Sequence, residues 1–137
     1  MNVQVPVDII FHKQSRALEL IYEDSTNYVL PFEFLRVLSP SAEVQGHSPD
    51  QAVLQVGKRD VVIESIQPVG TYALRLCFSD GHDSGYYTWD YLYKLGKHRE
   101  QLWKQYLLAL KEQGASRDPD DPNNSAFSPK PKTSCKR

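Results

Sequence analysis

Tyr72-Ala73-Leu74-Arg75-Leu76-Cys77-Phe78-Ser79-Asp80-Gly81-His82-Asp83-Ser84-Gly85-Tyr86-Tyr87-Thr88 is the stretch whose reading decides the fold. Tyr72, Leu74, Leu76 and Phe78 alternate with Ala73, Arg75 and Cys77, the period of two that separates the faces of a strand. Tyr72 to Ser79 therefore reads as a central strand. Asp80-Gly81 supplies a tight turn, and Gly85 to Thr88 returns as a second strand.

Downstream, Trp89 to Leu95 reads as a turn or short helix, and Lys97 to Gln113 as a long one. Leu102, Trp103, Tyr106, Leu107 and Leu110 recur at three and four residues, one apolar stripe, and Gly114 stands where a left-handed C-cap belongs. Upstream, Val61 to Pro68 and Ala52 to Val56 read as strands, and Ala42 to Gln51 as a loop in which Glu43 to Gln45 form a short edge strand. Further back, Ala17 to Tyr22 and Asn27 to Leu30 form a hairpin around the polar turn Glu23 to Thr26. Pro31 fits the first turn of a helix over Phe32 to Val37, where its missing N–H has no intrahelical partner to lose. The fold class expected is α+β: a small antiparallel sheet with a short helix and a C-terminal helix packed on it.

The chain has 137 residues, enough for one core, so a single domain with tails is expected. Residues 1–15 read as an N-terminal extension, 16–114 as the domain and 115–137 as a disordered tail, because Phe127 is the only large apolar side chain after Gly114. Sixteen basic and 17 acidic residues leave a net charge of -1, which provides no general attraction for nucleic acid or anionic lipid. No run reads as a secretory signal or a membrane span, so a cytoplasmic protein with neither nucleic-acid nor membrane partner is expected. Cys77 lies in a strand and Cys135 in the polar tail; two free thiols in a reducing compartment are the simpler expectation.

Chemistry-bearing residues are few. No Gly-x-Ser-x-Gly elbow, phosphate-binding glycine loop or acid/base carboxylate pair can be read, so no enzyme is expected. His82 lies between Asp80 and Asp83 in a turn, and His47 lies in another loop; His47, His82 and Asp83 would make a 2-His-1-carboxylate set for zinc or iron. Against that, His82 in a tight hairpin needs no more than a local hydrogen bond. Tyr86, Tyr87, Trp89, Tyr91 and Tyr93 form a dense aromatic run, read either as core or, with Asp80, His82, Tyr87 and Trp89 as contacts, as a surface that docks a protein.

Two strings carry a family resemblance: Phe34-Leu35-Arg36-Val37-Leu38-Ser39-Pro40-Ser41-Ala42-Glu43-Val44-x-Gly46-His47, then Phe78-x-Asp80-Gly81-His82-x-Ser84-Gly85-x-Tyr87-x-Trp89-x-Tyr91-Leu92. Over Arg16 to Gln113 the chain resembles the gamma-butyrobetaine hydroxylase-like N-terminal domain, including small bacterial stand-alone members. In the hydroxylases that domain precedes an iron-dependent catalytic domain and binds zinc through three cysteines and a histidine. The resemblance places Ser39, Ser41 and Val44 where the thiolates would stand and leaves His82 alone. Hydroxyls are poor zinc ligands and valine is none, so no resident cofactor is expected. Related domains fused to carriers of iron–sulfur clusters imply a non-catalytic binding or scaffold module, accessory to a metal-dependent oxygenase or to cofactor assembly. Oligomeric state is not legible.

Overall fold

The computed structural model describes residues 4–45 and 53–127. Its first sheet joins β1 (Asp8–His12), β2 (Ala17–Ile21) and β3 (Asn27–Pro31), antiparallel in that order. Leu18 and Leu20 on β2 are fully buried, while Glu19 between them points outward, accepting from Asn27 Nδ2 at 2.7 Å and lying 2.7 Å from His12 Nε2. β1 falls in what reads from sequence as an extension: Ile9 and Phe11 lie opposite Leu20 and Leu18, and Asp8 at the free edge takes the Ile9 N–H at 2.9 Å. A carboxylate there occupies an edge donor that would otherwise be open to another strand.

The second sheet joins β4 (Ile63–Val69), β5 (Ala73–Phe78) and β6 (Tyr86–Thr88), again antiparallel in sequence order. Leu74 faces Tyr87 across β5 and β6, both buried, and Arg75 faces Tyr86 on the outer side. The fold is α+β as read, with two three-stranded sheets in place of one. Their separation follows from Pro31, which ends β3 without a ladder donor and starts α1 (Phe32–Val37) directly. Leu18, Leu20 and Leu30 from one sheet and Ile63, Leu74, Leu76 and Phe78 from the other share a core with Phe32, Phe34 and Leu35 of α1.

Several elements differ from the sequence expectation. Glu43 to Gln45 belong to a helical turn, α2 (Ala42–Gln45), and Val53 to Val56 form no strand. The helical signal after Thr88 divides into α3 (Trp89–Lys97) and α4 (Arg99–Gln113), broken at His98, whose φ of -112° and ψ of 22° leave the helical region. Thr88 caps α3 by accepting the Tyr91 N–H, and Gly114 ends α4 at φ 70°, the left-handed cap expected of it. Along the stripe of α4, Tyr106 and Leu110 are buried against Val37 and Val56, whereas Leu107 is exposed.

Residues 115–127, read from sequence as part of a disordered tail, lie back on the domain. The backbone N–H groups of Gly57 and Arg59 donate to the carbonyls of Ser116 and Arg117, and Asn124 is buried, its amide donating to the Asp118 carbonyl. Polar contacts with the body order this segment, and apolar content does not register them. Residues 128–137, the rest of that tail, lie outside the described residues. Cys77 is disulfide-bonded, which corrects the expectation of a free thiol; Cys135 lies outside the described residues. Among the described residues no helix is long and apolar enough to cross a membrane.

Candidate functional site

Phe32-Glu33-Phe34-Leu35-Arg36-Val37 is buried at every position, so α1 brings two charges, Glu33 and Arg36, into the interior. Buried charges persist only with partners. Arg36 Nε donates to Asp80 Oδ2 at 2.9 Å and its Nη1 to Gln55 Oε1 at 3.0 Å. Lys58 Nζ donates to the same Asp80 oxygen at 2.7 Å. Burial alone would push the Asp80 carboxyl up, but Arg36 and Lys58 outweigh it and hold the group below the usual carboxylate range. Lys58 is pushed down, first by burial and then by Arg36, and Asp80 offsets only part of this. One carboxylate serves two cations, so it gains from both while each cation shares it. Asp80 is the keystone.

Beside this triad two loops are laced together. Ser39 Oγ and His82 Nε2 share a hydrogen bond at 2.8 Å, Ser41 Oγ and Ser84 Oγ share one at 2.6 Å, and Gln45 Nε2 donates to the Ser39 carbonyl at 2.9 Å. Ser39, Ser41 and His82 are all buried. A Cβ on Gly85 would stand 2.5 Å from Ser39 Oγ, so the close approach of the loops requires glycine there. The turn itself is pinned by the His82 N–H to Asp80 Oδ1 at 3.3 Å and the Phe78 N–H to the His82 carbonyl at 2.9 Å.

The aromatic run satisfies the end of α1. Tyr87 and Tyr91 hydroxyls donate to the carbonyls of Leu35 and Leu38, each at 2.5 Å, in the last turn where a helix leaves acceptors unpaired. Burial raises both phenols, Tyr91 to about 12, so both remain protonated donors at neutral pH. Tyr87→Phe keeps the ring and leaves the Leu35 carbonyl without this buried donor; a loss of about 1–3 kcal/mol is expected in urea unfolding.

Of the residues singled out from sequence, Tyr87 and His82 lie inside and present no surface in this conformation. Asp80 is committed to Arg36 and Lys58, and Trp89 is half-buried with its indole N–H donating to the Thr71 carbonyl at 2.8 Å. Asp83 points the other way from His82: Arg75 Nη2 donates to its carboxylate at 2.8 Å and Arg75 Nε to its carbonyl at 2.9 Å. His47 lies outside the described residues. Among the described residues no three His, Cys, Asp or Glu side chains gather where they would hold a metal ion. The zinc set implied by the family does not fit the residues present, because Ser39 and Ser41 spend their hydroxyls on His82 and Ser84 and Val44 has no donor. Arg36, Gln55 and Lys58 escaped sequence reasoning, although a charge in the apolar run Phe34-Leu35-Arg36-Val37 was a signal that a buried partner existed.

These features define a small α+β domain in which two loops and a central helix are tied by hydrogen bonds and one ion cluster. The chain belongs to the gamma-butyrobetaine hydroxylase-like N-terminal family, whose model matches residues 9–93. Among solved structures it is similar to a protein with an NMR solution structure at 53% identity, covering 88% of this chain and 94% of that one, with a TM-score of 0.76. A second NMR structure is similar at 42% identity over 86% and 88% of the two chains, TM-score 0.74. A third is the crystal structure of a protein of unknown function of the DUF971 family from Acidithiobacillus ferrooxidans, 37% identical over 66% of this chain and 91% of that chain, TM-score 0.55. No curated protein matches this chain.

Proposed function

We propose that this chain is a non-catalytic binding module that docks a protein partner, accessory to a metal-dependent oxygenase or to iron–sulfur cofactor assembly. The observation that carries this reading is the contrast between committed interior groups and exposed aromatic ones. His82 lies inside the fold against Ser39, Asp80 is paired with Arg36 and Lys58, and Asp83 is paired with Arg75, so these groups are spent on holding the interior together. Tyr72 and Tyr86 are instead 57% and 48% exposed, in the turn just before β5 and on the outer face of β6. Exposed tyrosines suit the anchors of a protein interface, and Tyr72 adjoins the half-buried Trp89, whose backbone N–H donates to the Tyr72 carbonyl. Tyr72→Ser with Tyr86→Ser is expected to abolish capture of the cognate partner in affinity purification while leaving the fold intact by circular dichroism. An unchanged set of captured proteins would overturn the reading.

The metal-binding alternative, zinc or iron on His47, His82 and Asp83, would require His82 and Asp83 to leave Ser39 and Arg75. Elemental analysis of protein purified without a histidine tag is expected to find no stoichiometric zinc or iron.

A further inference from the structure

We propose that the groove formed by Glu33, Trp103 and the backbone of residues 57–59 is an arginine-reading peptide site, filled in cis by Ser116-Arg117 and able to take an arginine-bearing segment of another protein. This goes beyond the docking surface proposed above and shares no residue with it. Arg117 Nε and Nη2 donate to the two oxygens of Glu33, each at 2.7 Å, a planar fork on a carboxylate that is itself buried at the start of α1. The guanidinium carbon also lies 5.3 Å from the centroid of the Trp103 ring. A bidentate carboxylate and an aromatic face together select arginine over lysine, whose ammonium is a point donor.

The rest of the recognition is through the main chain. Gly57 and Arg59 N–H groups donate to the Ser116 and Arg117 carbonyls at 3.0 and 3.1 Å. Gly57 has φ +65°, and a Cβ there would lie 3.2 Å from Pro119 Cα, so glycine keeps the approach open. Arg59 adds a looser ion pair to Asp118, at 3.6 Å. A cavity of about 230 Å³ beside Arg117, walled by Pro31, Phe34, Arg99 and Glu100, leaves room for a larger occupant. The occupying residues Ala115-Ser116-Arg117-Asp118-Pro119-Asp120-Asp121 carry no large apolar side chain, so polar contacts hold them, and a competitor that brings its own guanidinium keeps the buried Glu33 paired. A competing segment has to exceed only the effective concentration of the tether.

The test uses the full chain with Arg117→Ala, which empties the fork, and a fluorescent peptide of the sequence Ala-Ser-Arg-Asp-Pro-Asp-Asp followed by anisotropy. The variant is expected to bind the peptide at least ten-fold more tightly than the wild-type chain. Binding is expected to fall at least ten-fold when lysine replaces the peptide's arginine, or when Glu33→Gln is added to the chain. Arg117→Lys provides a second, milder opening should Arg117→Ala fail to fold. Equal affinity for wild type and variant, or indifference to the peptide's arginine, overturns the proposal. So does a concentration-dependent dimer of the wild-type chain that Arg117→Ala abolishes, since the occupant would then be a second copy.

Discussion

Asp80→Ala is expected to cost about 3–5 kcal/mol of folding stability, because it leaves Arg36 and Lys58 as neighbouring buried cations with no anion between them. Lys58→Met is expected to change stability by no more than about 1 kcal/mol: it removes a cation whose burial Asp80 offsets only in part, keeps the aliphatic bulk and leaves Asp80 paired to Arg36. Urea unfolding of both variants separates a keystone carboxylate from a symmetric ion pair, for which the two losses would match. The sign with pH follows from the Asp80 carboxyl, which is held down in the fold. Its stabilisation is complete above the unfolded value of about 4 and is lost as pH falls through the lower folded value. The gap between wild type and Asp80→Ala is therefore expected to narrow below about pH 4 and to stay constant between pH 5 and 8.

Gly96→Ala is the second large effect. On an exposed helix the substitution would gain about 1 kcal/mol in propensity. Here the new Cβ would stand 2.3 Å from Cγ and Cδ2 of Tyr28 and 2.8 Å from its Cβ. The ring cannot swing aside, because it packs edge-on against Tyr22 and Tyr93 with centroids at 5.8 and 5.6 Å, and contact with Tyr28 Cβ drives the clash back to the β3 main chain. A net loss of about 3 kcal/mol is expected, at the upper end of overpacking penalties. Tyr28→Ser in the same chain removes the ring and is expected to recover part of the loss, which thermal unfolding of the single and double variants measures.

Where a period of two ran long enough, the strands were legible in the residues alone: Leu74, Leu76 and Phe78 lie inward, with Arg75 outward, as their alternation implies. The helix over Phe32 to Val37 and the glycine cap at Gly114 were legible for the same reason, that each rests on local stereochemistry. β1 was not, because Asp8 interrupts its apolar pattern and its stability comes from pairing with β2. Nor was the docked segment after Gly114, whose order depends on Glu33, 84 residues away in sequence. The candidate site was half visible. His82 and Asp80 announced themselves by lying in a glycine turn, but the partners that define their roles, Ser39, Arg36 and Lys58, lie on other elements and meet them only in three dimensions. Reading Tyr87 as core or surface needed the Leu35 carbonyl, which only the fold supplies.

The central claim is that hydrogen bonds between the loops, Ser39 to His82 and Ser41 to Ser84, do the tying that thiolates on a metal would do. Thermal unfolding of the purified chain with and without an excess of EDTA tests it most directly. The same melting midpoint and the same unfolding cooperativity are predicted in both. A chelator-dependent fall in the midpoint, with zinc or iron recovered in stoichiometric amount from the released fraction, would contradict it.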